Sequence, residues 1–250
     1  MLISKKVSKK SIYKFFTRCV IIFFSNCLIL DLYSLSFNRE VLQHNYSKME
    51  QINSYSAEFV IDYVAISRSY DDVVNTLNEI QELADTICYG INNDYDKVQA
   101  IHNYVCRNLS YDHVSANNSA NLETISLKHI LKEKKTICAG FSNLFTALCN
   151  VEGIYCVNIR GTSKTKDIKD LSNDDTPTNH EWNAVFVENH WIFIDCTWDC
   201  QNHYYGSGYI YNDFVNTYFD VSERKMSLDH KIKIVDYRNF FDAINYFNTR

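Results

Sequence analysis

The sequence predicts an α+β fold, with helices first and an antiparallel sheet after them. Three observations predict it. Between residues 70 and 149, apolar side chains recur every three or four positions, the spacing of amphipathic helices. After Gly153 the period changes, and 154–159, 182–187 and 191–196 are short runs rich in β-branched and aromatic residues. Helices and strands are segregated along the chain instead of alternating, which is the order of an α+β domain.

Before the helices come two segments of different character. Residues 1–36 open with Lys5, Lys6, Lys9, Lys10, Lys14 and Arg18, followed by the apolar run Cys19-Val20-Ile21-Ile22-Phe23-Phe24 and then Cys27-Leu28-Ile29-Leu30. A basic stretch before a short apolar one is the pattern of a secretory signal peptide. The break at Ser25-Asn26 and the charge at Asp31 leave it short of the roughly 20 apolar residues of a membrane span. Residues 1–36 are therefore read as a signal peptide cleaved after Ser36 or as an uncleaved N-terminal anchor, so the protein is expected outside the cytoplasm, secreted or held at the cell surface. Residues 37–54 are polar and aperiodic, a variable lead-in, and 55–250 form one domain.

Within that domain, alternation at Tyr55, Ala57, Phe59, Ile61 and Tyr63 predicts a strand, although Val60 and Val64 also allow a helix. The first helix follows Tyr70, with Val73, Leu77, Ile80, Ala84 and Ile87 on one face, a cap from Ser69 with Asp72, and a stop at Gly90. A second follows Asp94, burying Val98, Ile101, Val105 and Leu109. A short third carries Leu127, Ile130 and Leu131. A fourth begins at Cys138, presents Phe141, Leu144, Phe145, Leu148 and Cys149, and stops at Gly153. Residues 162–179 form a long polar loop that holds Pro177, the single proline, and ends at His180. In the tail, 217–221 is strand-like.

Composition narrows the function. The 250 residues are 46% hydrophobic, enough for a full core. Net charge is −5, from 25 basic and 30 acidic residues, which removes the basis for a nucleic-acid partner. None of the nine cysteines forms a C-x-x-C pair, so a zinc ribbon or a thioredoxin-type site is not expected. A chain without the leader would lose Cys19 and Cys27 and keep an odd number, leaving at least one free thiol or an intermolecular bridge. Cys88, Cys106 and Cys149 lie on apolar helix faces as small buried hydrophobes, and Cys196 and Cys200 make no metal pattern with His190 or His203.

Three stretches carry chemistry: Thr136-Ile137-Cys138-Ala139-Gly140-Phe141, Asn179-His180-Glu181-Trp182-Asn183 and Ile194-Asp195-Cys196-Thr197-Trp198-Asp199. A thiol, an imidazole and a carboxylate are the parts of an activated nucleophile with its base and orienter. A helix start favours the thiolate, Lys134 and Lys135 would add positive potential, and Gly140 would let backbone come close. If Glu188-Asn189 is a two-residue hairpin turn, His180 lies opposite Thr197 and Trp182 opposite Asp195. Asp195 and Asp199 are then both diagonal neighbours of His180, with backbones about 7–8 Å away, and the register does not choose between them.

The same stretches resemble the transglutaminase-like superfamily of cysteine enzymes, of the exported bacterial kind, whose core is papain-like. Leu109-Ser110-Tyr111-Asp112, Ser126-Leu127, Tyr218-Phe219 and Asp229-His230 are similar too, so the resemblance covers roughly residues 90 to 230. It implies a papain-like core with the nucleophile at a helix N-terminus packed on an antiparallel sheet. It implies catalytic Cys138, His180 and Asp195, and settles Asp195 over Asp199. It implies no cofactor and no metal. Trp182 and Trp198 are the expected substrate-binding residues, and the Cys138 amide the expected oxyanion donor. Glu181 departs from the small residue many relatives carry after the histidine, and Ala139 from their polar residue after the cysteine. The expected activity is attack on a peptide or glutamine amide through a thioester, with hydrolysis favoured over cross-linking. The alternative is a catalytically inactive binding module at the cell surface. The expected partners are a protein or peptide substrate and a cell-wall or cell-surface component, with membrane contact only through the N-terminal segment.

Overall fold

The apolar spacing of each helix decides which face it buries. In the computed structural model, which describes residues 63–118 and 122–236, α1 (Tyr70–Ile87) buries Val73, Leu77, Ile80 and Ala84, and α2 (Asp94–Asn108) buries Val98, Ile101, Val105 and Cys106. Strand β1 (Ser110–Asp112) leads into a short helix, α3 (His113–Asn117). Helix α4 (Leu127–Glu133) buries Leu127 and Ile130 and precedes β2 (Lys135–Thr136). Helix α5 (Cys138–Val151) is different, because every residue from 139 to 149 is buried. A helix without a solvent face must be wrapped on all sides, and α1, α2 and the sheet do this. The leader, the lead-in and most of the 55–65 segment lie outside the described residues; Tyr63 and Val64, at its end, are helical.

After α5 come β3 (Tyr155–Ser163), β4 (His180–Val187) and β5 (His190–Ile194). Then follow a helical turn α6 (Cys196–Asp199), strands β6 (His203–Tyr204) and β7 (Tyr209–Ile210), helix α7 (Glu223–Met226) and β8 (His230–Asp236). The main sheet is antiparallel in the order β5-β4-β3-β8, and a small sheet runs β2-β1-β6-β7 with β1 parallel to both neighbours. The architecture is α+β, a buried helix, α5, packed against an antiparallel sheet.

Local sequence sets the chain reversals. Gly90 and Gly153 end their helices at φ +77°, a left-handed conformation that glycine takes without strain. Glu188 and Asn189 both have positive φ, 52° and 63°, the two-residue turn that matches strand twist. The expected hairpin register therefore holds from Val187↔His190 to Asn183↔Ile194.

Four expectations change. At α1, Ser69 is the cap by position, but its side chain makes no capping bond. Asp72 instead binds Lys128 at 2.6 Å and accepts from Ser67, since an ammonium is a stronger partner than an amide. Strand β5 stops at Ile194, so Asp195 and Thr197 never pair with Trp182 and His180. The Asp195 side chain takes the Thr197 and Trp198 amides and turns the backbone into α6. Residues 217–221 contribute only an isolated bridge, Phe193↔Val221, because Asp199 Oδ1 accepts the Thr217 and Tyr218 amides. The unforeseen β8 pairs along β3 and completes the sheet.

Helix α5 is held on the sheet by buried amides and hydroxyls as well as by apolar contact. Asn183 Nδ2 donates to Thr146 Oγ1 at 2.8 Å and Ser142 Oγ at 3.0 Å, and Asn158 Nδ2 donates to Asn143 Oδ1 at 2.7 Å. Ser142 Oγ donates to the Trp182 carbonyl at 3.1 Å. These directional bonds fix the rotation of α5 about its axis, which apolar packing alone does not. Replacing Asn183 by Leu should cost about 1–3 kcal/mol for each buried partner left unsatisfied. Urea unfolding checks this, and an unchanged midpoint would show that apolar contact alone holds the helix.

Candidate active site

Cys138 is the first residue of α5, reached from β2 through Ile137 in extended conformation. Ile137 supplies no side-chain cap, so the first-turn amides are not consumed by one. Of the seven described cysteines, Cys138 alone is not fully buried, and all seven are unpaired. Gly140 is needed for an unexpected reason: a Cβ there would lie 1.9 Å from Thr136 Oγ1. The glycine lets β2 close over the first turn of α5, where the Thr136 hydroxyl donates to the Thr124 carbonyl at 2.7 Å. Lys135 does not aim its charge at the thiol; it binds Asp112 at 3.2 Å and lies over the Tyr204 ring. Tyr111 sits near the thiol, and burial, with the Cys138 charge second, pushes its hydroxyl up to about 12.

His180 opens β4 opposite Gly161 of β3. Gly161 is a close approach: a Cβ would fall 2.0 Å from the Lys231 carbonyl oxygen and 2.6 Å from the Trp182 ring. The His180 ring is 7% exposed, and its Nε2 lies 2.6 Å from Asp195 Oδ2. The Cys138 thiol is the other group that favours the charged form of the ring. With Nε2 taken by the carboxylate, Nδ1 is the nitrogen left for the thiol proton. Glu181 lies on the opposite face, paired with Arg160.

Asp195 is completely buried and fully used. Its Oδ1 accepts the Thr197 amide at 2.9 Å and the Trp198 amide at 3.1 Å, the N-terminal cap of α6. Its Oδ2 faces His180 Nε2 and, at 3.1 Å, His230 Nε2. Burial opposes the Asp195 charge, but His180 and then His230 outweigh it and hold the carboxyl well below the usual range. Burial likewise works against the His180 charge, yet Asp195 and the Cys138 contact push the imidazolium up to about 10.

The structure thus brings Cys138, His180 and Asp195 together and separates Asp199 from them. Asp199 binds His102 Nε2 at 3.0 Å in a second buried cluster, where Cys106 lies 3.4 Å from His102 and also meets Cys196. Cys106, expected as a plain buried hydrophobe, is part of a polar cluster. His102, Cys106 and Cys196 have ligand atoms within 4.8 Å of one another, as do His180, Asp195 and His230, so these are the described groups with the donors for a metal. Trp182 is 1% exposed and packs against the His180 and His230 rings at 5.8 and 4.9 Å. Trp198 is half-buried, with its ring 5.7 Å from His180 and 4.4 Å from His230.

His230 is the site residue to which sequence reasoning gave no role. It comes from β8, and its Nδ1 lies 2.6 Å from Asp229 Oδ1. The other Asp229 oxygen accepts the Tyr218 hydroxyl at 2.6 Å. The signal was present in the resemblance of Tyr218-Phe219 and Asp229-His230, but nothing in a lone Asp-His pair says that it meets Asp195.

Residues 81–196 match the sequence model of the transglutaminase-like superfamily. A kyphoscoliosis peptidase of Mus musculus is 29% identical over 151 residues, 56% of this chain and 22% of that protein. A Lim and transglutaminase domain protein, ltd-1 of Caenorhabditis elegans, is 29% identical over 147 residues, 57% of this chain and 19% of that one. The chain spans about a fifth of the length of these curated relatives. A crystal structure of a TGase aligns with 62% of this chain and 38% of its own, at 20% identity and a TM-score of 0.41.

The His180–Asp195 pair gives a pH signature. A histidine raised by folding stabilises fully below its unfolded value of 6.5, and that stabilisation is lost as pH rises toward about 10. A depressed carboxylate stabilises above its unfolded value of 3.8 and loses this as pH falls through the folded value. The stability advantage of wild type over His180→Gln should therefore be largest between pH 3.8 and 6.5 and shrink on both sides. Urea unfolding of both proteins across pH measures it, and a difference independent of pH would contradict the pairing.

Proposed function

We propose, on the premise that the chain carries a transglutaminase-like core, that it is a cysteine enzyme acting on a peptide or glutamine side-chain amide. The observation that carries this reading is the thiol at an uncapped helix start, electrostatically coupled to a histidine whose Nε2 is held by a buried carboxylate. The Cys138 sulfur, its proton already passed to His180, attacks the amide carbonyl carbon. The Cys138 amide faces the oxyanion as it forms. His180 then gives its proton to the leaving nitrogen, the C–N bond breaks, and a thioester remains. Water attacks that thioester with His180 as base, giving a carboxylate and the free thiol; an amine in place of water would give a cross-link.

Hydrolysis is the favoured outcome. Water is always present at a half-exposed thiol, whereas cross-linking requires a dry site with a second pocket for the amine. The name of the Mus musculus relative, a peptidase, agrees with this reading. The basic and apolar leader supports a protein exported or held at the surface, with a protein or peptide substrate there.

Iodoacetamide, read cysteine by cysteine by mass spectrometry at neutral pH, should label Cys138 at least 10-fold faster than free glutathione. His180→Ala should remove that advantage while Cys138 keeps its exposure. A Cys138 that reacts at the glutathione rate, or equally fast without His180, would overturn the enzyme reading. Incubation with a glutamine-donor protein and a labelled amine should leave the donor unlabelled; incorporated label would replace hydrolysis by transamidation.

A further inference from the structure

His230 lies outside the matched region, which ends at residue 196, yet it touches the centre of the site. Its Nε2 is 3.1 Å from Asp195 Oδ2 and its Nδ1 is 2.6 Å from Asp229 Oδ1. A carboxylate can only accept, so each ring nitrogen of His230 faces an acceptor, the arrangement that suits a doubly protonated ring. The side chain is fully buried, enclosed by the Trp182 and Trp198 rings. Asp229 is anchored in turn by the Tyr218 hydroxyl, which fixes the ring from behind. The titratable groups facing His230 are Asp195, Asp229, His180 and Tyr218; Lys231, next along β8, turns away to Asp174.

We propose that His230 is a positioning residue that orients Asp195 and, as a second cation on the same carboxylate oxygen, limits how tightly His180 holds its proton. The inference deepens the cysteine-enzyme reading and rests on it for its functional meaning. Asp195 Oδ2 divides its stabilisation between two imidazoles whose rings are 5.4 Å apart. Without His230, all of it goes to His180, and a repelling charge disappears as well. In a reaction that needs His180 both to take the thiol proton and to return it to the leaving nitrogen, an over-stabilised imidazolium is a poor acid. His230 thus keeps the base of the site between the two roles.

The test is the titration of the His180 ring, followed by nitrogen-15 NMR of the full chain in a Cys138→Ala background. That background removes the thiol, so the measurement is independent of whether the protein is an enzyme. The wild-type ring of His230 should show both nitrogens protonated, and His230→Gln, which keeps a donor toward Asp195 without the charge, should raise the His180 midpoint by about one pH unit. Asp229→Asn, which loosens the hold on His230 and leaves the site otherwise intact, should move it in the same direction by less and serves if His230→Gln does not fold. A single-proton tautomer at His230, or a His180 midpoint unmoved by both variants, would overturn the inference. If the midpoint moves while Cys138 of the wild type reacts like glutathione, the coupling stands and the cysteine-enzyme reading fails.

Discussion

One buried carboxylate organises the site and much of the surrounding fold. Asp195 has no exposed surface, and an ion removed from water persists only where donors replace the lost solvent. Two backbone amides of α6 and two imidazoles do so here. Each donor comes with its own segment: the amides end β5 and turn the chain, His180 brings the start of β4, and His230 brings β8. The Asp195 amide meanwhile donates to the Tyr218 carbonyl, drawing in the stretch between α6 and α7. Stability and the arrangement of the site therefore rest on the same set of contacts, and a change to the carboxylate would be felt in both.

The rest of the site follows from two kinds of close contact. Glycines stand where a Cβ would strike neighbouring atoms: Gly140 under Thr136, and Gly161 against the Lys231 backbone and the Trp182 ring. They let β2 press onto α5 and β8 press onto β3. The amide network of Asn143, Asn158 and Asn183 then fixes the rotation of α5 against the sheet. Since Cys138 is the first residue of that helix, its place relative to His180 depends on hydrogen bonds between residues well inside the core. A second buried pair, His102 with Asp199, ties α2 to α6 and to the 217–218 amides, so α6 is held at both ends by carboxylates.

Much of this was legible in the sequence wherever the signal is local. Helical spacing placed the helices that were described, the positive-φ pair Glu188-Asn189 placed the hairpin, and the glycines after α1 and α5 marked their ends. What was not legible depended on competition between partners. Ser69 looked like a side-chain cap, but Asp72, its expected companion there, found Lys128 across space. Residues 217–221 alternate like a strand, but Asp199 claimed their amides. The strand β8 was hidden because its role depends on an edge of β3 that only the folded sheet offers.

By itself, the sequence determined the class of fold, the helix that starts at the thiol, the hairpin register and a short set of candidate groups. These rest on periodicity, turn chemistry and residue type, which act between near neighbours. Only the tertiary structure gave Asp199 its partner in His102, showed that Trp182 is a buried wall behind two imidazoles, and brought His230 to the same carboxylate oxygen as His180. Those outcomes depend on where a buried charge finds its donors, and the donors of Asp195 lie up to 35 residues along the chain from it. No local pattern records such a meeting, because the desolvation of the carboxylate that makes it necessary exists only once the chain has closed around it.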